Sequence, residues 1–533
     1  EPGMVRLTAF GKGEKATWNS DIAIKSPLER LIKKEDFMIK PGEKKNFSLT
    51  PFGISGSNKA EIVVSGIKPM NLNHRVNYVL HYPYECLEQL VSKAYIALLL
   101  PDMGSFSPKE LEGLDNVVRS CLSKLRNYMI PGGGFAYWPG GTSSNGWSSI
   151  YAYMFLTEAA ERGFVVTPGL RNECGQYQAR LAREWKPVAS PALALETDIQ
   201  AFRLYALAAN NIPEKGAMNR FKAYTDKSAE AEYFLATAFS YDKPEIAKKL
   251  VEAAGQAVNI DNGEIIATNS LYINAIRLIA FLSVNNQKQA HNAAEALIKR
   301  LNTSQIYNTA GTATAFTALT RYYKKFPPSK NMNFDIKMNE KVNAISSEKT
   351  LWMSEIELNK KTETVEITNN SKGTLFVEST CSGIPKQGNQ FATANGIDME
   401  IRYTTMNGRP IDIRSLEQGT NFMMEISVTN TSGILLNSLM VHQMVPAGWE
   451  IINRNFLLGT ERYPAGITYQ TYGDDYIASF IPAFPVGKQI TIPVQITASY
   501  AGIYYMPISS CKGMYNLSYY ATSEGMEVEV RRD

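Results

Sequence analysis

Histidine and cysteine are scarce in this chain, four and five among 533 residues. The four histidines are scattered and no C-x-x-C occurs, so no metal-ligand spacing is present and neither a metal nor another cofactor is expected. There is no Lys/Arg block and no interleaving of basic with aromatic residues, and the formal net charge is only +4. A nucleic-acid partner is therefore not expected. The longest apolar runs, such as Tyr95 to Leu100, are far too short to span a bilayer. No G-x-S-x-G elbow supports serine hydrolysis. The opening Glu1-Pro2-Gly3-Met4 has neither a signal-peptide pattern nor a lipid-attachment cysteine, which reads as a mature product or a cut fragment. What is present is an ordinary globular composition, 44% hydrophobic and 20% charged. The length is too great for one core, so three or four domains are expected.

The pattern changes character twice along the chain. Residues 1 to about 75 read as β, with strand-like Met4–Phe10 and Glu61–Val64 and turn punctuation at Pro41-Gly42, Gly53 and Gly56. Ser26-Pro27 is a candidate boundary between two small β domains. From about Tyr78 to Tyr323 apolar residues recur at helical spacing, as in Leu114, Val118, Cys121, Leu125 and Tyr128, or Leu271, Ala275, Leu278 and Leu282. A helix is predicted to begin just after Pro83 and to stop at Pro101. Successive helices joined by short loops suggest an α/α arrangement. After Phe326-Pro327-Pro328-Ser329 the period returns to two, first at Val365, Ile367, Leu375 and Val377. From about 390 to the end, alternations such as Phe422, Met424, Ile426, Val428 and Ile490, Ile492, Val494, Ile496 suit a β-sandwich.

The chemistry-bearing stretch is Cys86-Leu87-Glu88-Gln89. Positions i and i+3 meet on one face of a helical turn, so the Cys86 sulfur can reach the Gln89 carboxamide. Loss of ammonia would leave an internal thioester, an acyl group open to attack by an amine or hydroxyl. An arbitrary C-x-x-Q is most often only a buried thiol on an apolar helix, and Cys121, on such a stripe, reads that way. An odd count of cysteines leaves at least one unpaired or specially used. With Cys86 set aside, Cys121, Cys174, Cys381 and Cys511 allow three pairings or none.

The setting of Cys86 is more specific. Tyr82-Pro83-Tyr84 followed by Cys86-Leu87-Glu88-Gln89 closely resembles the YPYGCLEQ thioester signature of bacterial alpha-2-macroglobulins. Gly132-Gly133-Gly134-Phe135-Ala136-Tyr137-Trp138 resembles the family's GGF-x-x-W segment, Trp147 to Tyr153 its W-L-T-A-Y helix start, and Gly513-Met514-Tyr515-Asn516 its A-M-Y-D stretch. The order and rough spacing fit along nearly the whole chain.

The resemblance implies a multidomain α plus β fold: an α/α toroid thioester domain inserted in a CUB-like β domain and followed by a β-sandwich. In residues, this is the end of a macroglobulin-like sandwich at 1–30, a CUB-like domain at 31–75 and 329–388, a helical thioester domain at 76–328 and a C-terminal macroglobulin-like sandwich at 389–533. It implies the C-terminal part of a broad-range endopeptidase inhibitor rather than an enzyme. A bait region upstream is cut by the attacking protease, which is then linked through Cys86 and Gln89. Tyr82, Met514 and Tyr515 are the expected shield of the bond, and Tyr84, Trp138 and Trp147 candidate pocket-lining residues. The partners implied are host or competitor proteases and nucleophilic amines on captured proteins. The resemblance also suggests a monomer in the periplasm or cell envelope of a Gram-negative bacterium, touching the membrane only through a lipid anchor on a missing N-terminus.

Glu85 departs from the pattern, standing where the family usually has Gly. A strained turn there would resist Glu, which keeps open an alternative, a structural or adhesive envelope protein with the fold and no active thioester. No histidine is placed by a motif to speed transfer to hydroxyls, so direct attack by amines is expected. A third reading, a toroid glycosidase, would need paired carboxylates, for which Glu196/Asp198 and Asp474/Asp475 are the visible candidates.

Overall fold

The structure, a computed structural model, describes every residue except 1, 12–13, 24–29, 68–71, 81, 83–84, 188–192, 258–269, 303–306, 328–331, 339–340, 359–360, 385–391, 453–462, 515–517 and 533. Ser26-Pro27, Tyr84 and Tyr515 lie outside the described residues. Among those described there are twelve α-helices, lying between β segments and interrupted only by the two-residue strand Gly104–Ser105. They are α1 (Leu72–Leu80), α2 (Leu87–Met103), α3 (Pro108–Lys124), α4 (Gly146–Glu161), α5 (Pro168–Glu184), α6 (Leu193–Ala209), α7 (Lys215–Ala223), α8 (Ala229–Ser240), α9 (Pro244–Ala257), α10 (Ser270–Ser283), α11 (Gln287–Leu301) and α12 (Thr309–Lys325).

The even-numbered helices form a closed ring: α2 packs on α4, α4 on α6, α6 on α8, α8 on α10, α10 on α12, and α12 back on α2. This follows from composition. A helix in the ring meets its two neighbours, the ring's centre and an outer helix, so it must be apolar nearly all round. Helix α4 is buried at every position from Ser148 to Phe155, and α12 at every position from Thr309 to Thr320. The odd-numbered helices from α3 onward connect ring members, and α3 and α11 carry the single apolar stripe of an outer helix; in α3 only Val118 and Cys121 are buried. The arrangement is an α/α toroid.

Two expectations need correction. The helix that starts after Cys86 does not stop at Pro101 but continues to Met103, with Pro101 in its last turn and the Gly104 N–H closing onto the Leu100 carbonyl. Proline forbids an N–H bond to the residue four earlier, yet near a C-terminus only a last partial turn is affected. Helical structure also begins earlier than expected, at Leu72 in α1.

The β segments flanking the helices pair with each other. One sheet runs Lys44–Leu49, Glu363–Asn369, Met332–Met338, Lys341–Ser347; the facing sheet runs Leu31–Ile39, Leu375–Gly383, Lys59–Ser65, Leu351–Glu357, Gly104–Ser105. Val377, from after the helices, pairs with both Phe37 and Val64, from before them. The toroid is thus an insertion in one sandwich, whose core holds Phe47, Ile62, Val64, Phe334, Val365, Ile367, Leu375 and Val377. From Thr393 onward a second sandwich is built on the pairs Ile397–Thr405 with Asn421–Asn430, and Leu436–Met444 with Tyr476–Phe484, around Phe422, Ile426, Trp449, Ile481 and Ile492. Pro2–Gly11 and Glu14–Ala23 form a separate hairpin. No helix among the described residues is long and apolar enough to cross a membrane.

Toroid and first sandwich meet at a buried carboxylate. Glu61, on the strand Lys59–Ser65, accepts a hydrogen bond from Asn77 Nδ2 of α1 at 2.8 Å. Burial pushes its pKa up to about 7; the Asn77 bond opposes this, and Glu355, Glu378 and Glu110 reinforce it. A folded carboxyl held above its unfolded value takes up a proton on folding, so its contribution is full below about pH 4.5 and is lost as pH rises through about 7. The unfolding midpoint should therefore fall between those values, by a free energy on the order of 1–3 kcal/mol, and Glu61→Gln should flatten that slope in thermal melts.

Candidate functional site

Cys86 sits at the N-cap of α2 with φ −68° and ψ 162°, ordinary extended backbone. Its own N–H donates to the Gln89 side-chain Oε1 at 3.3 Å, so the carboxamide folds back over the first turn toward the cysteine in a capping-box arrangement. The two residues are 0% and 1% exposed. The Gln89 Nε2 is buried and has no hydrogen-bond partner among the described residues, a costly state for an amide nitrogen. It is also the atom that cyclisation would expel. The neighbouring Glu88 is buried too, and its Oε1 accepts from Thr309 Oγ1 at 2.6 Å and Ser92 Oγ at 3.1 Å.

Three other elements hold the turn. The Leu87 N–H donates to the Tyr137 carbonyl at 2.9 Å, tying α2 to the glycine-rich loop that follows the short 3₁₀ turn Leu125–Tyr128. The Tyr128 hydroxyl donates to the Glu85 carbonyl at 2.5 Å, and the Glu85 carboxylate takes both its bonds, 2.6 and 2.9 Å, from Lys124 Nζ of α3. Glu85 is thus carried at the edge of the site, half exposed and paired, while the cysteine beside it keeps unstrained backbone.

The cover comes from the C-terminal sandwich. Cys86 belongs to a small apolar cluster with Met440, Ala478, Phe480 and Met514, flanked by Tyr137, Trp138, Tyr469 and Tyr476. Met440 and Phe480 are opposite each other across adjacent strands, and Phe480 is opposite Tyr469 on the next. Met514 follows the strand Ser510–Gly513, and its N–H donates to the Ser438 carbonyl at 2.8 Å. Its carbonyl in turn accepts the Tyr82 hydroxyl at 3.0 Å, a buried hydrogen bond between the two domains. Trp138 stacks on Tyr469, centroids 4.3 Å apart and planes 4° from parallel, and meets Phe480 edge-on at 5.2 Å.

Beside this cluster lies a cavity of about 950 Å³, lined by Glu88, Trp138, Trp147, Asp198, Tyr272 and Phe480 among others. Trp147 opens α4 and donates its indole N–H to the Tyr272 hydroxyl at 3.2 Å. Of the residues singled out from sequence, the structure brings Tyr82, Cys86, Gln89, Trp138 and Met514 together around one turn. Trp147 stands farther along the cavity wall. The carboxylate pairs do not assemble: Asp198 lines the cavity but Glu196 is exposed, and Asp474 lies in an exposed turn. No disulfide joins any of the five cysteines, and no group of three metal-ligating side chains occurs among the described residues.

Sequence reasoning missed Met440, Phe480, Tyr469 and Tyr137. A signal for Phe480 existed. The strand Tyr476–Phe484 is apolar on both faces, with Ile477 and Ile481 in the sandwich core and Ala478 and Phe480 outside it. A sandwich strand with one wet face alternates; this one does not, because its outer face is covered.

The fold is shared with known proteins. Residues 396–516 match the family described as Bacterial Alpha-2-macroglobulin MG10 domain. The chain is 23% identical over 490 residues to an alpha-2-macroglobulin of Rickettsia conorii, covering 87% of this chain and 24% of the relative. It is 23% identical over 500 residues to an alpha-2-macroglobulin of Xylella fastidiosa, covering 87% and 29%. The chain therefore spans about a quarter of the length of the curated relatives it matches. Its fold is that of the crystal structure of native Escherichia coli alpha-2-macroglobulin from domain MG7 to the C-terminus, with TM-score 0.77, 18% identity, and 100% of this chain and 88% of that one covered. It is likewise that of Salmonella alpha-2-macroglobulin reacted with methylamine, with TM-score 0.79, 19% identity, and 99% and 36% covered. Residues 396–516 thus match the MG10 domain family of bacterial alpha-2-macroglobulins, and the chain as a whole is similar to bacterial alpha-2-macroglobulins over 87% of its length and shares the fold of the region from MG7 to the C-terminus.

The loop that carries Tyr137 and Trp138 supplies a test of how the cover is held. Gly133 has φ +96°, and a Cβ there would stand 2.3 Å from the Glu173 carbonyl of α5; Gly132 has φ +94° and open space. Gly133→Ala should cost more than the roughly 1–3 kcal/mol of strain expected at Gly132→Ala. It should also raise hydrogen exchange at the Leu87 amide, measured by mass spectrometry, more than Gly132→Ala does.

Proposed function

We propose that the chain supplies the covalent-capture part of an alpha-2-macroglobulin-like endopeptidase inhibitor, acting through a thioester between Cys86 Sγ and the Gln89 side-chain carbonyl. The observation that carries the reading is the burial of the Cys86–Gln89 turn under an apolar cover contributed by another domain. A structural thiol on an apolar helix needs only its own domain's core. An activated acyl group needs water kept away until a set moment, and a cover on a separable domain can be withdrawn.

Cyclisation balances as follows. The Cys86 thiol adds to the Gln89 carbonyl carbon, the C–N bond breaks, and the thiol proton leaves with the nitrogen as ammonia. In transfer, a neutral amine attacks the same carbon, the C–S bond breaks, an amide forms, and the proton lost by nitrogen passes to the departing sulfur or to solvent. The enclosing residues have separate tasks in this scheme. Gln89 is the acyl donor and Cys86 the leaving group. The Tyr82 hydroxyl anchors the Met514 strand end, and Met440, Phe480 and Met514 exclude water. Methionine suits an irregular gap of this kind. That a Salmonella relative has been studied after reaction with methylamine supports amine attack as the relevant chemistry.

We further infer the division of labour along the chain: residues 31–75 and 329–388 as the CUB-like domain, 76–328 as the thioester domain, 389–533 as the C-terminal macroglobulin-like domain, and 1–30 as the end of a preceding one. The targets are attacking proteases, with lysine amines as acceptors, and the compartment is the periplasm or cell envelope. Glu85, which motivated an unreactive alternative, is paired with Lys124 and precedes ordinary extended backbone at Cys86, an arrangement compatible with the thioester reading.

Freshly purified protein should give a peptide spanning Cys86 and Gln89 that is lighter by one ammonia, and methylamine should label Gln89. Cys86→Ala should abolish both. Met514→Ala should leave the bond able to form but shorten its lifetime in water several-fold, as an apolar cover worth about 1.5–3 kcal/mol of burial is lost. A full-mass peptide with an unlabelled Gln89 in fresh full-length protein would remove the covalent step.

A further inference from the structure

We propose that the cavity between the helical ring and the C-terminal sandwich is a docking site for small organic ammonium ions beside the turn that carries Cys86 and Gln89. The inference rests on the function proposed above, since it specifies what reaches the acyl group and how it is selected.

Size comes first. About 950 Å³ lies at the upper end of the range of small-ligand cavities, ample for an extended alkylammonium. Charge is the second point. Glu88, Asp198 and Glu230 line the cavity and no Lys, Arg or His does among the described residues. The chain as a whole carries 55 basic against 51 acidic residues, so the cavity wall is strongly segregated. Carboxylates in a recess with low-dielectric walls focus a negative potential and concentrate cations. The third point is the wall itself. Trp147 and Tyr272 line the same space, as does the stacked pair of Trp138 and Tyr469. Aromatic faces add cation–π attraction, about 0.5–2 kcal/mol per ring depending on desolvation. Apolar rings with carboxylates, and no base among the described lining residues, suit a cation with a hydrocarbon stem.

Position links the cavity to the chemistry. Trp138 and Phe480 line the cavity and also belong to the apolar group around Cys86. The rings that pack around Cys86 therefore also form part of the cavity wall, and Glu88, which lines it, is next in sequence to the acyl donor. The carboxyl of Asp198, on α6, is pushed up to about 7, chiefly by burial. The groups facing it are the Ser228 hydroxyl, which donates to it, and the Ala231 N–H and Glu230 carboxylate of α8, with Tyr272 of α10 close by. None of these is a cation. The site therefore gains negative charge as pH rises through about 7, while an alkylammonium keeps its charge.

The test separates docking from bond formation by using the Cys86→Ala chain, in which no thioester can form. Butylammonium is titrated by calorimetry and tryptophan fluorescence, with butanol as the neutral counterpart and maltose as a sugar probe. Expected are saturable butylammonium binding that tightens between about pH 6 and 8, butanol binding at least about tenfold weaker, and about tenfold weaker butylammonium binding in Asp198→Asn/Glu230→Gln. Circular dichroism and the melting midpoint show whether that pair folds; Glu230→Gln alone, expected to lose several-fold, serves if it does not. Equal affinity for butanol, binding of maltose in place of butylammonium, no binding, or unchanged affinity in a folded variant overturns the proposal. Butylammonium binding in a protein whose wild type never forms the bond would sink the proposed function and leave the docking site standing. An intact bond with no butylammonium binding would do the reverse.

Discussion

Everything at the candidate site depends on the docking of one sheet of the C-terminal sandwich against the N-terminal end of α2. That contact is small in residues and large in consequence. Met440, Ala478, Phe480 and Met514 meet Cys86 in a cluster separate from the main core of either domain. A buried hydrogen bond, Tyr82 hydroxyl to Met514 carbonyl, crosses between the domains at its edge. Apolar burial has no direction of its own, and this bond adds direction to the contact.

The toroid has the opposite character. Its ring helices are buried nearly all round, so it cannot open without exposing most of its core. The α2 N-terminus is thereby held within a continuous core, and in the proposed function the sandwich that carries its cover is the partner that separates. Under the proposed function this division matters. The reacting atoms keep their geometry through any rearrangement, and only access to them changes. Glu85 fits the same scheme. It pairs with Lys124 of α3 within the toroid, so it stiffens the approach to Cys86 without tying the turn to the cover.

Much of this was legible in the sequence, for identifiable reasons. The helices announce themselves through apolar residues at helical spacing, as at Leu271, Ala275, Leu278 and Leu282, and the sandwich strands because one wet face enforces alternation, as at Phe422 to Val428. The capping turn was legible because i and i+3 share a face. Helix ends were less so: Pro101 was taken as a stop, but in a last turn it forfeits little. Helix α1 was missed because nine residues give only about two and a half turns of periodicity. The cover was half legible. Met514 was found by resemblance alone, since nothing in its neighbours' pattern marks it, whereas Phe480 carried a physical signal in the doubly apolar run Tyr476–Phe484.

The cavity was illegible for a different reason. Asp198, Glu230 and Glu88 come from three helices, and Tyr469 from another domain, with hundreds of residues between the first and the last. No local pattern encodes such convergence; only ring closure brings α2, α6 and α8 to one mouth. Asp198 drew notice beside Glu196, yet two residues along a helix turn side chains to different sides, so Glu196 is exposed while Asp198 faces inward. The carboxylates that do share a space are the ones that ring neighbours contribute. A wall of that sign, next to a buried turn poised to carry an acyl group, would let the same docked sheet serve two ends: while it stays, it keeps water from the carbonyl carbon, and with the ring it closes the space in which a cation can wait.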